Sequence, residues 1–60
     1  MTPQQILDLR IDLGLSQRAF AERLGVSPDA VVHWETGRKK PNSTNIRKLE
    51  RLILTSQSLS

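Results

Sequence analysis

The chain has 60 residues, one histidine, no cysteine and a formal net charge of +3. That length allows one small domain, which hides only about 60% of its unfolded surface and is therefore marginally stable. The lack of thiols excludes a disulfide framework and a thiolate metal site, and the basic excess favours polyanions as partners.

The opening MTPQQILDLRIDLG has no basic start followed by a long apolar run, so no signal peptide is expected. No stretch approaches the roughly 20 apolar residues that cross a bilayer. A cytoplasmic location is the resulting expectation.

Helical periodicity and punctuation divide the chain into four segments, about 3–13, 17–24, 28–35 and 43–54. Thr2 before Pro3 and Ser27 before Pro28 are hydroxyl caps followed by proline at the first helical position. Ser16 opens the second segment, and Asn42 or Ser43 opens the fourth. Gly14, Gly25 and Gly37 each follow a helical stretch, where a left-handed cap is wanted. Neither Ser16 nor Ser27 has the acidic or amide residue three positions on that completes a capping box. The tail TSQSLS reads as frayed, which gives a domain over 1–54 and a flexible tail over 55–60.

Each helix has an apolar side. In the first it is Ile6, Leu9 and Leu13, widened by Leu7 and Ile11; in the second, Phe20, Ala21 and Leu24. In the third it is Val31 and Trp34, and in the fourth Ile46, Leu49 and Ile53. Four such helices on short links predict a compact all-α domain.

Two charges break this pattern. Arg10 falls inside the apolar arc of helix 1, and Glu35 falls between Val31 and Val32 on helix 3. A charge on an apolar face is costly unless paired, so the two are expected to pair with each other. The alternative is that Arg10 reaches past the core edge to water or phosphate.

The third helix is too short to be stable alone, so packing on its inner face must hold it. Its outer face carries Asp29, His33 and Thr36, with Ala30 and Val32 at the edges. An apolar side chain beside short polar ones suits a major groove, where thymine offers a methyl group. Six of the nine basic residues follow Gly37: Arg38, Lys39, Lys40, Arg47, Lys48 and Arg51.

The stretch LGLSQRAFAERLGVSPDAVVHWETGRKKP, Leu13 to Pro41, resembles the helix-turn-helix domain of the phage Cro and repressor type. The matching positions are Leu13, Gly14, Leu15, Ser16 and Gln17; Ala21; Leu24, Gly25, Val26 and Ser27; and Glu35, Gly37 and Pro41. Arg10 also matches. With Trp34 before Glu35, the chain is most similar to the bacterial subgroup with WE-x-G-x-x-x-P after the recognition helix. The resemblance covers about 4–53. It implies a repressor-like fold of four or five helices, in which helix 2 crosses the DNA backbone and helix 3 enters the major groove. It also implies the buried Arg10–Glu35 pair.

Carried over, the resemblance makes Gln17 a contact to phosphate or an edge base, with Arg18 beside it, and Ser27 a phosphate contact. Pro28, Asp29, Val32 and His33 take base-facing positions, and Arg38, Lys39 and Lys40 fall in a phosphate-touching loop. The family often has glutamine, arginine or serine where this chain has Pro28, Asp29 and His33. Pro28 then only shapes the contact. Asp29 either accepts from a cytosine amino group or stabilises the helix dipole. His33 donates to guanine, bridges to phosphate, or is a plain surface histidine.

The resemblance implies double-stranded DNA as partner, bound by a homodimer on palindromic half-sites. The second reading is a protein-interaction or antitoxin-type module on the same fold. Leu7, Ile11 and Leu54 would then be partner contacts; otherwise they are ordinary core. No catalytic residue, metal site, cofactor or small-molecule ligand is expected, since one histidine stands without cysteines and no carboxylate pair or glycine-rich phosphate loop appears.

Overall fold

The computed structural model describes residues 1–58. The chain folds into α1 (Pro3–Asp12), α2 (Gln17–Leu24), α3 (Pro28–Thr36) and α4 (Ser43–Ser58). There is no strand and no fifth helix among the described residues.

Local chemistry sets the boundaries. The Thr2 hydroxyl accepts from Gln5 N at 3.1 Å, while Thr2 N donates to the Gln5 side chain at 2.8 Å, a complete capping box. Ser16 and Ser27 cap α2 and α3 by accepting from Ala19 N at 3.1 Å and Ala30 N at 3.3 Å. At α4 the cap is Asn42, whose carbonyl side chain accepts from Asn45 N at 2.9 Å.

The first three helices end alike. Leu15 N reaches back to Arg10 O, Val26 N to Ala21 O and Arg38 N to His33 O, each across a left-handed glycine. The residue after the glycine then decides where the chain goes. Leu15 and Val26 pack against the core, which folds the next helix back. Arg38 is exposed, so the chain after α3 runs out over the surface.

The core consists of Ile6 and Leu9 from α1, Phe20, Ala21 and Leu24 from α2, Val31 and Trp34 from α3, and Leu49 from α4. The closest packing is α2 on α3, then α1 on α3, with α4 leaning on α2. α3 is thus held by two neighbours, which compensates for its two and a half turns.

Three expectations are corrected. Ile11 is 59% exposed and Leu54 65% exposed, so neither is core. Ile11 lies at the outer margin of α1's arc, about 140° around the helix from buried Ile6 and about 160° from buried Leu9 at 100° per residue. The last helix does not stop at 54 but continues to Ser58. Nothing after Leu54 breaks it: no glycine or proline follows, and the Thr55 hydroxyl donates to Arg51 O at 3.0 Å. Of the tail expected over 55–60, residues 59–60 lie outside the described residues.

Candidate nucleic-acid interface

α3 is fixed from behind. Arg10 Nε donates to Glu35 Oε2 at 2.7 Å and Arg10 Nη2 to Oε1 at 3.2 Å, a two-pronged contact. Gln17 Nε2 donates to the same Oε1 at 3.1 Å, and Arg10 Nη1 donates to Leu15 O at 3.0 Å. The Glu35 side chain is 6% exposed and that of Arg10 17%. One carboxylate therefore ties together α1, the start of α2 and the end of α3. No buried side-chain polar atom among the described residues lacks a partner.

At the start of α3 and along the side turned away from buried Val31 and Trp34, Ser27, Pro28 and Asp29 are exposed, and Val32 and His33 are half-buried. Asp29 sits in the first turn of α3. The Ser27 hydroxyl oxygen serves the cap, which leaves its O–H free to donate. Gln17 is half-buried, with one amide hydrogen committed to Glu35 and a second available.

The cationic loop is fastened to the end of α3. His33 O accepts from Arg38 N at 2.9 Å and from Lys39 N at 3.3 Å. Pro41 is buried and, with Trp34, Pro3 and Ile6, lines a cleft of about 70 Å³ that draws the loop's far end back to the core. Arg38, Lys39 and Lys40 between them are exposed, and none is in an ion pair among the described residues. Arg18 is also exposed, 3.8 Å from Glu22 in a loose pair on the surface of α2; exposed pairs of this kind contribute about 0.3–0.5 kcal/mol, so Arg18 is readily released.

The structure thus joins Gln17, Glu35 and Arg10 in one network and His33 to the Arg38–Lys40 loop. Arg47 and Arg51 lie apart, on the outer side of α4. Lys48 reaches toward the end of α2, its Nζ 3.9 Å from where a side chain on Gly25 would begin. Sequence reasoning missed the inward bond of Gln17 and the burial of Pro41. The T-x-x-Q spacing of Thr2 and Gln5 would have revealed the first capping box.

No group of three or more histidine, cysteine, aspartate or glutamate side chains among the described residues is placed to hold a metal. No described helix is long and apolar enough to cross a membrane.

Two short helices joined by a glycine turn, the second with its outer face free, define a helix-turn-helix domain, and residues 6–56 match the Helix-turn-helix family model. The chain belongs to that family. It is 45% identical over 56 residues to the uncharacterized HTH-type transcriptional regulator YiaG of Escherichia coli K12, covering 93% of this chain and 57% of that relative. The YiaG proteins of the O6:H1 and O157:H7 strains match equally. The chain therefore spans a little over half the length of these relatives. No solved structure is matched.

Proposed function

We propose that this chain is a sequence-specific double-stranded DNA-binding domain of a transcriptional regulator, with α3 in the major groove. Family membership and the name of the relatives support a DNA-binding regulator in general terms. The observation that carries the finer reading is the two-sided arrangement of α3: Val31 and Trp34 are buried on its inner side, with Glu35 held beside them by Arg10, and free polar and cationic groups lie at its start, on its outer side and in the loop that follows. Ser27, Gln17 and Arg18 would donate to phosphates flanking the groove, and Arg38, Lys39 and Lys40 would follow the backbone beyond it. Asp29, Val32 and His33 would face base edges, with Pro28 shaping their approach. Such a domain binds and releases DNA without covalent chemistry. The Trp34-Glu35 pair followed by Gly37 and Pro41 favours the bacterial subgroup with WE-x-G-x-x-x-P.

Two copies on palindromic half-sites would place their recognition helices about 34 Å apart. The test is duplex binding at several salt concentrations, followed by selection from random duplexes. With about four to six phosphates neutralised, log K falls against log salt with a slope near −4 to −5 per monomer. A flat salt response and no enriched sequence would favour the protein-interaction module instead.

A further inference from the structure

The chain's charge is segregated on a face that DNA recognition leaves unused. Between α1 and α4 runs a groove of about 470 Å³, floored by Leu9, Ile46 and Ile53 and rimmed by Asp8, Asp12 and Glu50. Three of the chain's six acidic residues line it, and no lysine or arginine does. Asp8 accepts only the Gln4 amide, at 2.9 Å, and none of the three acids is in an ion pair among the described residues.

Beside the groove stands its complement. At 100° per residue, Leu54, Arg47 and Arg51 follow Glu50 around α4 as one ridge. Leu54 is 65% exposed, and neither arginine is in an ion pair among the described residues. Asp8 and Asp12 are four residues apart on one helix, as are Arg47 and Arg51 on another. Each pair therefore presents its charges at the same pitch, with Cβ atoms about 5–6 Å apart. Groove and ridge share α4, so a two-fold contact between identical chains uses both twice.

We propose that this face is a self-complementary interface with a second copy of the chain. The ridge of each copy seats in the groove of the other, with Leu54 over the Ile46 and Ile53 floor and Arg47 and Arg51 against Asp8 and Asp12. This rests on the two-copy reading above and names its surface. Burial of Leu54 and of the groove floor supplies apolar contact that a domain this small lacks.

Sedimentation equilibrium of the full chain, across a wide concentration range at low and high salt, tests it. The expected result is a reversible dimer that weakens as salt rises. Leu54→Asp gives a monomer with an unchanged far-ultraviolet circular dichroism spectrum. Asp8→Lys/Asp12→Lys and Arg47→Glu/Arg51→Glu are each monomeric alone, and mixing them restores a dimer, because both contacts of the mixed pair then carry opposite charges. A wild-type chain that stays monomeric throughout overturns the proposal, as does a dimer that survives in either charge-reversed variant alone. Salt-dependent duplex binding by a monomeric wild-type chain would remove this interface and leave the DNA reading standing. A dimer that binds no duplex would do the reverse.

Discussion

Gln17 donates its amide hydrogen to Glu35 Oε1 at 3.1 Å, the same oxygen that Arg10 reaches at 3.2 Å. The residue that opens α2 is thereby locked to the end of α3. The angle between the two helices of the motif is set by side-chain chemistry as well as by the turn at Gly25. If one partner is removed, a charge is left behind in a nearly closed site. Arg10→Met and Glu35→Gln are each expected to cost about 3–5 kcal/mol. At about 4–8 °C per kcal/mol for a chain this size, either lowers the melting temperature by roughly 12–40 °C. Arg10→Met/Glu35→Leu removes both charges and recovers most of the loss. Thermal melts by circular dichroism decide it, and an unchanged melting temperature for Arg10→Met would show the pair to be inert.

Gln17 itself contributes less. Gln17→Ala removes one hydrogen bond to a carboxylate that keeps its arginine. The expected loss lies toward the lower end of about 1.5–3 kcal/mol, since Gln17 is half-buried. A double-mutant cycle between Gln17→Ala and Glu35→Leu, made in the Arg10→Met background so that removing the carboxylate leaves no charge unpaired, should show coupling, whereas additive melts would mean that the bond does not hold the helices.

Ser27 has two expected tasks that a pair of substitutions separates. As a cap it accepts from Ala30 N at 3.3 Å; as a contact it would donate its O–H to a phosphate. Ser27→Ala loses both, with a stability cost of about 0.5–2 kcal/mol. Ser27→Asp keeps the cap and places a negative charge where the phosphate would lie. Expected outcomes are a melting temperature close to wild type for Ser27→Asp, together with the larger loss of duplex affinity. Equal affinity for Ser27→Asp and wild type would remove Ser27 from the interface.

What the sequence made legible was local. Caps, glycine ends and the inner residues Phe20, Val31, Trp34 and Leu49 depend on spacing within one helix, and periodicity reads that directly. The Arg10–Glu35 contact was accessible because two charges on apolar arcs demand each other. Which of the two readings of Ile11 and Leu54 holds, partner contact or core, was not, because helical phase gives the direction of a side chain but not how far the neighbouring helix extends to cover it. The inward bond of Gln17 joins positions 18 residues apart and leaves no local trace. The end of α4 was set too early because Thr55 and the serines beyond it are weak helix formers; with no breaker among them, the ladder continues.

Gly37 closes α3 at φ +78° and hands the chain to the cationic loop. A Cβ there would meet Pro3 Cγ at 3.7 Å, an ordinary contact, so the penalty of Gly37→Ala is backbone strain. Roughly 1–2 kcal/mol is expected, and Gly37→Asn should cost less because asparagine tolerates the left-handed region. A melt in which alanine and asparagine behave alike would point to a cause other than dihedral strain.

The loop and the helix face should fail in different ways when altered. Lys39 is exposed, in no ion pair among the described residues, and fastened by its backbone to His33 O, so its ammonium can follow a phosphate without contacting a base. Lys39→Ala should weaken binding about equally on every duplex and make the slope of log K against log salt shallower by roughly 1. His33 and Asp29 lie on the outer face of α3, where a side chain meets base edges rather than the backbone. His33→Ala should leave the salt slope nearly unchanged and relax preference at one position of a selected site, by about 1–3 kcal/mol of discrimination. Fluorescence anisotropy on selected and scrambled duplexes, titrated at several salt concentrations, measures both quantities at once. If His33→Ala lowers affinity equally on both duplexes while Lys39→Ala alters sequence preference, the roles are exchanged and α3 does not enter the groove by the face proposed.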